Sequence, residues 1–152
     1  MLMVKPMSEP VFRSRACFVC GTDNPGGLNC APEREGRKVI VHFTPGDTHR
    51  GFSKAVHGGI TASLLDEVVG VAAGQRSGGK CATVELTVNY RRPLTVGVPV
   101  RAEGWYVRKH GKLVLGAGQI VDEAGKVLAT ARGRFLPLDD AQVARFVGKD
   151  GD

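Results

Sequence analysis

The sequence predicts an α+β domain in which a curled antiparallel sheet wraps one long buried helix. Three observations carry that expectation. A segment of helical length, Gly59 to Gly74, is apolar nearly all round. One strand-like segment precedes it, and four more follow it with little but turns between them.

Within the helical segment, Ile60, Ala62, Leu64, Leu65, Val68, Val69, Val71, Ala72 and Ala73 leave no continuous polar stripe, so it should be buried on most sides. Gly74, Gly78 and Gly79 supply its stop. Upstream, Lys38 to Thr44 alternates Val39, Val41 and Phe43 with Lys38, Ile40 and His42, and Pro45-Gly46-Asp47 ends that strand. Downstream, Ala82 to Tyr90 alternates Val84, Leu86, Val88 and Tyr90 with Thr83, Glu85, Thr87 and Asn89. Val98 to Arg108, Lys112 to Val121 and Lys126 to Leu136 follow, turning at His110-Gly111 and Glu123-Ala124-Gly125. Five strands are thus expected, the last four as an antiparallel meander.

A chain of 152 residues has room for one core of this kind. Residues 1–16 read as a flexible arm, 17–137 as the domain, and 138–152 as a tail with at most a short helix around Ala141 to Phe146. Cys17 to Leu28 reads as an ordered turn, because Gly21, Asp23-Asn24-Pro25 and Gly26-Gly27 favour turn geometry.

Composition narrows the function. No run of apolar residues approaches the roughly 20 that span a bilayer, and Met1 to Pro10 lacks the apolar stretch and cleavage site of a secretory signal. A cytoplasmic setting with no membrane partner is expected. Lys and Arg number 21 against 15 Asp and Glu, an excess that suits an anionic partner. The basic residues are scattered and no aromatic ladder accompanies them, which favours a phosphate-bearing small molecule over nucleic acid. Cys17 and Cys20 have the spacing of half a zinc site, but no second Cys-x-x-Cys follows. Cys30 with His42 or His49 would be needed to complete it, so free thiols in a knuckle-like turn, with no metal and no cofactor, are expected.

The chemistry concentrates in Val56-His57-Gly58-Gly59-Ile60 and the residues that follow. Two glycines at the start of a buried helix let a ligand approach unpaired N–H groups at its positive end, where a carbonyl developing negative charge is stabilised. The same glycines also suit tight packing, with His57 as a cap. Asp66 adds weight to the first reading, since a carboxylate within an apolar helix is costly unless it is paired or opens onto a polar cleft. Glu67 competes for that role. Helix neighbours point about 100° apart, so one of the two is expected to face a given cleft. Gly58 and Asp66 are eight residues apart, about 12 Å along a helix, too far to share one carbonyl. Two helices from two subunits, related by a twofold axis, would bring them together. Trp105, Phe52 and Tyr90 read as core or as the lining of an acyl pocket.

The His57-Gly58-Gly59 motif, Asp66 nine residues after the histidine, and the strand Thr83-x-x-Leu86-x-Val88-x-Tyr90-x-x-Pro93 together resemble the PaaI-type branch of the hotdog acyl-CoA thioesterases over residues 38–136. The resemblance implies a hotdog fold, with a five-stranded sheet around one helix, assembled as dimers or tetramers. It further implies hydrolysis of acyl-CoA thioesters without a metal. By similarity the Gly58 amide polarises the thioester carbonyl, Asp66 of the other subunit acts as base or nucleophile, His57 belongs to the same motif, and Thr83 supplies a hydroxyl near Asp66. Gly59, Gly51, Arg91 and Arg92 are the expected substrate contacts, the two arginines for the CoA phosphates. Cys17-x-x-Cys20-Gly21 with Asn24-Pro25-x-Gly27-Leu28 is similar to a subgroup of these proteins. One position departs from the pattern: Gly51 stands where related enzymes carry a water-holding asparagine, and Ser53, His49 or an ordered water would have to substitute. Two other functions share the fold, a non-catalytic acyl-CoA-binding module and a hydratase or dehydratase.

Overall fold

The structure is a computed structural model, and it describes residues 9–11 and 14–147. The elements run β1 (Glu9–Pro10), β2 (Glu33–Glu35), β3 (Lys38–Phe43), α1 (Gly58–Ser77), β4 (Cys81–Tyr90), β5 (Val100–His110), β6 (Leu113–Asp122), β7 (Val127–Pro137) and α2 (Asp140–Phe146). All strands join one antiparallel sheet in the order β1-β2-β3-β5-β6-β7-β4. This is the hotdog arrangement, a curled sheet about one helix, with the five expected strands extended by two short ones at one edge. Pairs of residues such as Glu9↔Arg34 are too brief for alternation to register in sequence. β1 falls in the stretch expected to be an arm, most of which lies outside the described residues.

Strand order corrects one expectation. β5, β6 and β7 form a meander, but β4 does not precede β5 in the sheet; it pairs with β7 from Cys81↔Pro137 to Tyr90↔Ala129. The connection after Tyr90 carries the chain across the sheet, so that β5 pairs with β3. Its nine residues are pinned as they cross: Leu94 is buried, Val56 N–H donates to the Leu94 carbonyl, and Val96 N–H to that of Lys54.

Thr61, Leu64, Leu65, Val68, Val69, Ala72 and Ala73 form the buried face of α1, recurring at intervals of three and four. They meet Val39, Val41, Ala102, Val114, Ile120, Ala129, Ala131 and Phe135 from the sheet. The helix lies unusually close to β5 and β6, because a Cβ at Gly104 would strike the Val68 backbone. Cβ atoms at Gly116 and Gly118 would come within 2.7 and 2.6 Å of the Val69 methyls. The opposite face, with Ala62, Ser63, Asp66, Glu67, Gly70 and Val71, is half-buried rather than enclosed as its composition suggests. α1 ends at Gly78, whose φ of 81° is left-handed and whose N–H caps the Gly74 carbonyl.

Candidate active site

His57 is the N-cap of α1. Its Nδ1 accepts a 2.9 Å hydrogen bond from Gly59 N–H, and a Cβ at Gly59 would sit 3.0 Å from that nitrogen, so glycine makes room for the ring. The histidine is held in turn by its own N–H, which donates to the His49 carbonyl. With the Gly59 amide occupied, the Gly58 amide, at the first helical position, is the one left without an intrahelical acceptor. The structure therefore separates two residues that sequence grouped: Gly58 offers a donor at the positive helix end, and Gly59 serves the cap.

Tyr90 belongs to the same corner. Its hydroxyl donates to the Gly58 carbonyl at 2.7 Å, tying the end of β4 to the start of α1. Sequence reading placed Tyr90 in the core or an acyl pocket, yet it is 54% exposed, and Phe52 is 83% exposed. Both stand on the surface beside the helix start. Trp105 is half-buried, with the Lys38 ammonium 5.7 Å from its ring. Arg91 and Arg92 follow Tyr90, with both N–H groups donating to the Leu128 carbonyl and both side chains exposed.

Gly51 lies against His57. A Cβ there would be 3.0 Å from the His57 Cα, so a larger residue would press on the cap. Of the substitutes considered for the asparagine, His49 is engaged through Nδ1 with Gly46 N–H, and Ser53 is exposed.

Two turns further along the helix, Asp66 is half-buried and its Oδ1 accepts a 2.8 Å hydrogen bond from the Thr83 hydroxyl on β4. Thr83 is thus where the motif led one to expect it, against the aspartate. β4 runs antiparallel to α1, so Thr83 meets the middle of the helix and Tyr90 its beginning.

Asp66 opens onto a cleft of about 560 Å³. Its helix wall is Asp66, Glu67, Gly70, Val71 and Gly74, and Thr83, Lys80, Cys17 and Phe146 close other sides. Both Asp66 and Glu67 border it, which corrects the expectation that one alone would. The wall is a stripe of residues i, i+1, i+4, i+5 and i+8, wide enough to span the 100° between neighbours.

The far side of the cleft is the turn around Cys17 and Cys20. Val19, Leu28 and Cys30 anchor that turn in the core, and Cys20 N–H donates to the Cys17 sulfur at 3.3 Å. Burial pushes the Cys20 thiol up, and the hydrogen bond with Cys17 and the nearby Glu67 charge add to that shift. Cys17, Cys20 and Glu67 bring their ligand-bearing atoms within 4.8 Å of one another, the one such trio among the described residues. Cys30 turns elsewhere, its sulfur on the Leu28 carbonyl. The acidic group that comes near Cys17 and Cys20 is that of Glu67, far along the sequence.

Residues 54–129, 76 of the 152, match the family model described as the thioesterase superfamily. The chain is 30% identical over 103 residues to acyl-coenzyme A thioesterase THEM4 of Xenopus laevis, a match covering 67% of this chain and 46% of the frog protein. A thioesterase superfamily protein of known crystal structure superposes with a TM-score of 0.74 at 29% identity, covering 80% of this chain and 63% of that one. The chain thus spans about half to two thirds of these relatives. Zebrafish thioesterase superfamily member 2 shares the fold at 20% identity, with a TM-score of 0.66 over 75% of this chain and 88% of that one. So does a Streptococcus mutans protein crystallised with acetyl-CoA, at 16% identity and a TM-score of 0.62, over 89% and 91% of the two chains.

Proposed function

This chain belongs to the thioesterase superfamily, and we propose that it hydrolyses an acyl-CoA thioester to the free acid and CoA at a site shared between two subunits. The observation that carries the proposal is a separation. The Gly58 amide and the Thr83-bound carboxylate of Asp66 lie on one straight helix, eight residues and about 12 Å apart. Neither can complete the other's chemistry within one chain.

The sheet supplies a way to complete it. β4 is an edge strand of ten residues whose outer side has no strand partner among the described residues, and Val84 and Tyr90 on it are each 54% exposed. A long exposed edge invites pairing with another chain. In an antiparallel pairing of two β4 strands about a point between Leu86 and Thr87, Thr83 falls opposite Tyr90 of the partner subunit. That register carries Asp66 of one chain toward the Gly58 amide of the other, and the same symmetry makes two equivalent sites. The exposed Phe52 and the half-buried outer face of α1 lie on the surface such a dimer would cover. Two dimers could assemble further into a tetramer.

In this site the Gly58 N–H polarises the thioester carbonyl and stabilises its oxyanion, at the positive end of α1. Asp66, held by Thr83, acts as base toward water or as the nucleophile, and CoA leaves as its thiol. His57 and Gly59 set the helix start, and Gly51 lets His57 sit where it does. The exposed Arg91 and Arg92, next to Tyr90, meet the CoA phosphates. The setting that fits this substrate is the cytoplasm; among the described residues no helix is long and apolar enough to cross a membrane.

A screen of short, long and aryl acyl-CoAs, following release of the CoA thiol, tests the activity. Turnover on at least one class is expected. Tight acyl-CoA binding with no turnover on any class would replace the enzyme with a binding protein.

A further inference from the structure

Cys17, Cys20 and Glu67 have no part in the hydrolysis proposed above, yet two sulfurs and a carboxylate converge within 4.8 Å at the rim of the same cleft. We infer that these three side chains form a zinc(II) site that fastens the Cys17–Cys20 turn to α1.

Geometry is the first support. Zn–S bonds of about 2.3 Å and Zn–O bonds of about 2.0–2.2 Å set neighbouring ligand atoms of a tetrahedron roughly 3.5–3.8 Å apart. The three ligand atoms, all within 4.8 Å of one another, are within about an ångström of that range. The second support is a turn already shaped for ligation. Cys20 N–H donates to the Cys17 sulfur at 3.3 Å, and Gly21 N–H closes on the Cys17 carbonyl at 2.9 Å, so both bonds fix where that sulfur points. A Cβ at Gly21 would strike the carbonyl oxygens of Cys17 and Arg15, so the residue after Cys20 must be glycine. Two cross-links hold the turn from behind, Leu28 N–H to the Phe18 carbonyl and Cys30 N–H to that of Val19. The third ligand rides on the rigid helix, so little ordering remains for binding to impose.

Donor chemistry selects the metal. Two thiolates draw soft and borderline cations, while a carboxylate beside them disfavours copper(I); zinc accepts both. Binding releases the thiol protons to solvent, and the resulting group of two thiolates, one carboxylate and Zn²⁺ carries a single negative charge. Water would supply the fourth ligand of the tetrahedron. The metal would then hold a wall of the cleft from a ligand adjacent to Asp66, making the turn part of the site's frame.

The test reads metal and needs no turnover. The full chain, stripped with a chelator and dialysed against zinc, is expected to retain one zinc per chain, and cobalt(II) in its place should show the near-ultraviolet charge-transfer band of thiolate ligation. Cys17→Ser and Glu67→Gln are each expected to weaken zinc binding by about tenfold or more, and Cys81→Ser to leave it unchanged. Cys17 is only half-buried, so its serine variant should fold; the cobalt spectrum of the unaltered protein needs no variant at all. Zinc well below one per chain, absence of the thiolate band, or undiminished binding by Cys17→Ser would each overturn the inference. A zinc-free protein that hydrolyses acyl-CoA would leave the thioesterase proposal standing and remove only this one.

Discussion

Asp66 has one oxygen spoken for and one not. Thr83 holds Oδ1, while among the described residues Oδ2 has no hydrogen-bond donor, and Asp66 lines the cleft. Asp66→Asn keeps the size and the Thr83 contact while removing the base. It is expected to lower kcat at least about a hundredfold with thermal stability retained, as steady-state kinetics and calorimetry would register. Arg91 and Arg92 act at a distance from the bond that breaks. Replacing both with alanine should raise KM for acyl-CoA and hardly change it for a short pantetheine thioester; equal effects on the two would remove the phosphate contact. Far from the cleft, Glu103 is a buried carboxylate on β5. Burial alone would raise its pKa, but hydrogen bonds from Gln119 and Lys38, with the charges of Lys38 and Arg101, outweigh burial and hold it below its ordinary 4.5. A carboxylate depressed on folding contributes stability in full above its unfolded pKa and loses it as pH falls through the folded value. Melting temperature should therefore drop below about pH 4.5, and Glu103→Gln should flatten that drop. An unchanged acid limb in the variant would place the sensitivity elsewhere.

Among the elements, α1 depends on close approach to the sheet at three glycines. Gly104→Ala forces the Val68 backbone outward and is expected to cost about 1–3 kcal/mol in denaturant unfolding. A neutral result would mean that helix and sheet are not in contact there. The helix was legible in the sequence because it is apolar nearly all round over a helical length, and the five long strands because their elements run for six residues or more between turn signals. The close packing at Gly104, Gly116 and Gly118 was not, since a glycine in a strand looks the same whether it bends the chain or admits a helix. Nor was the transfer of β4 to the far edge, because alternation fixes which face a residue takes and says nothing of which strand lies beside it. In the site, His57, Gly58 and Asp66 stood out through chemistry unusual for a buried helix. Tyr90 did not, because its contact with Gly58 spans 32 residues and follows from the strand order. One of Asp66 and Glu67 was expected to face the cleft, with the resemblance favouring Asp66, but a cleft wall wider than one residue takes in both.

At the scale of the whole molecule, everything turns on whether the Gly58 amide and Asp66 that cooperate come from different chains. Position 58 allows a clean probe. It is the first residue of α1, where proline is favoured, and His57 before it has φ −59° and ψ 135°, the conformation proline demands of its neighbour. A Cβ there would meet Tyr90 at an ordinary 3.5 Å. Gly58→Pro thus deletes the N–H and leaves the helix. Light scattering should find wild type and both variants as dimers or tetramers at micromolar concentration. Asp66→Asn and Gly58→Pro should each be inactive alone. When the two are co-expressed and mix at random, half the dimers are heterodimers, and one of their two sites pairs an intact Asp66 with an intact Gly58, so about a quarter of wild-type activity should return. Recovery of that activity is what a shared site predicts; two inactive variants that stay inactive in verified heterodimers would contradict it.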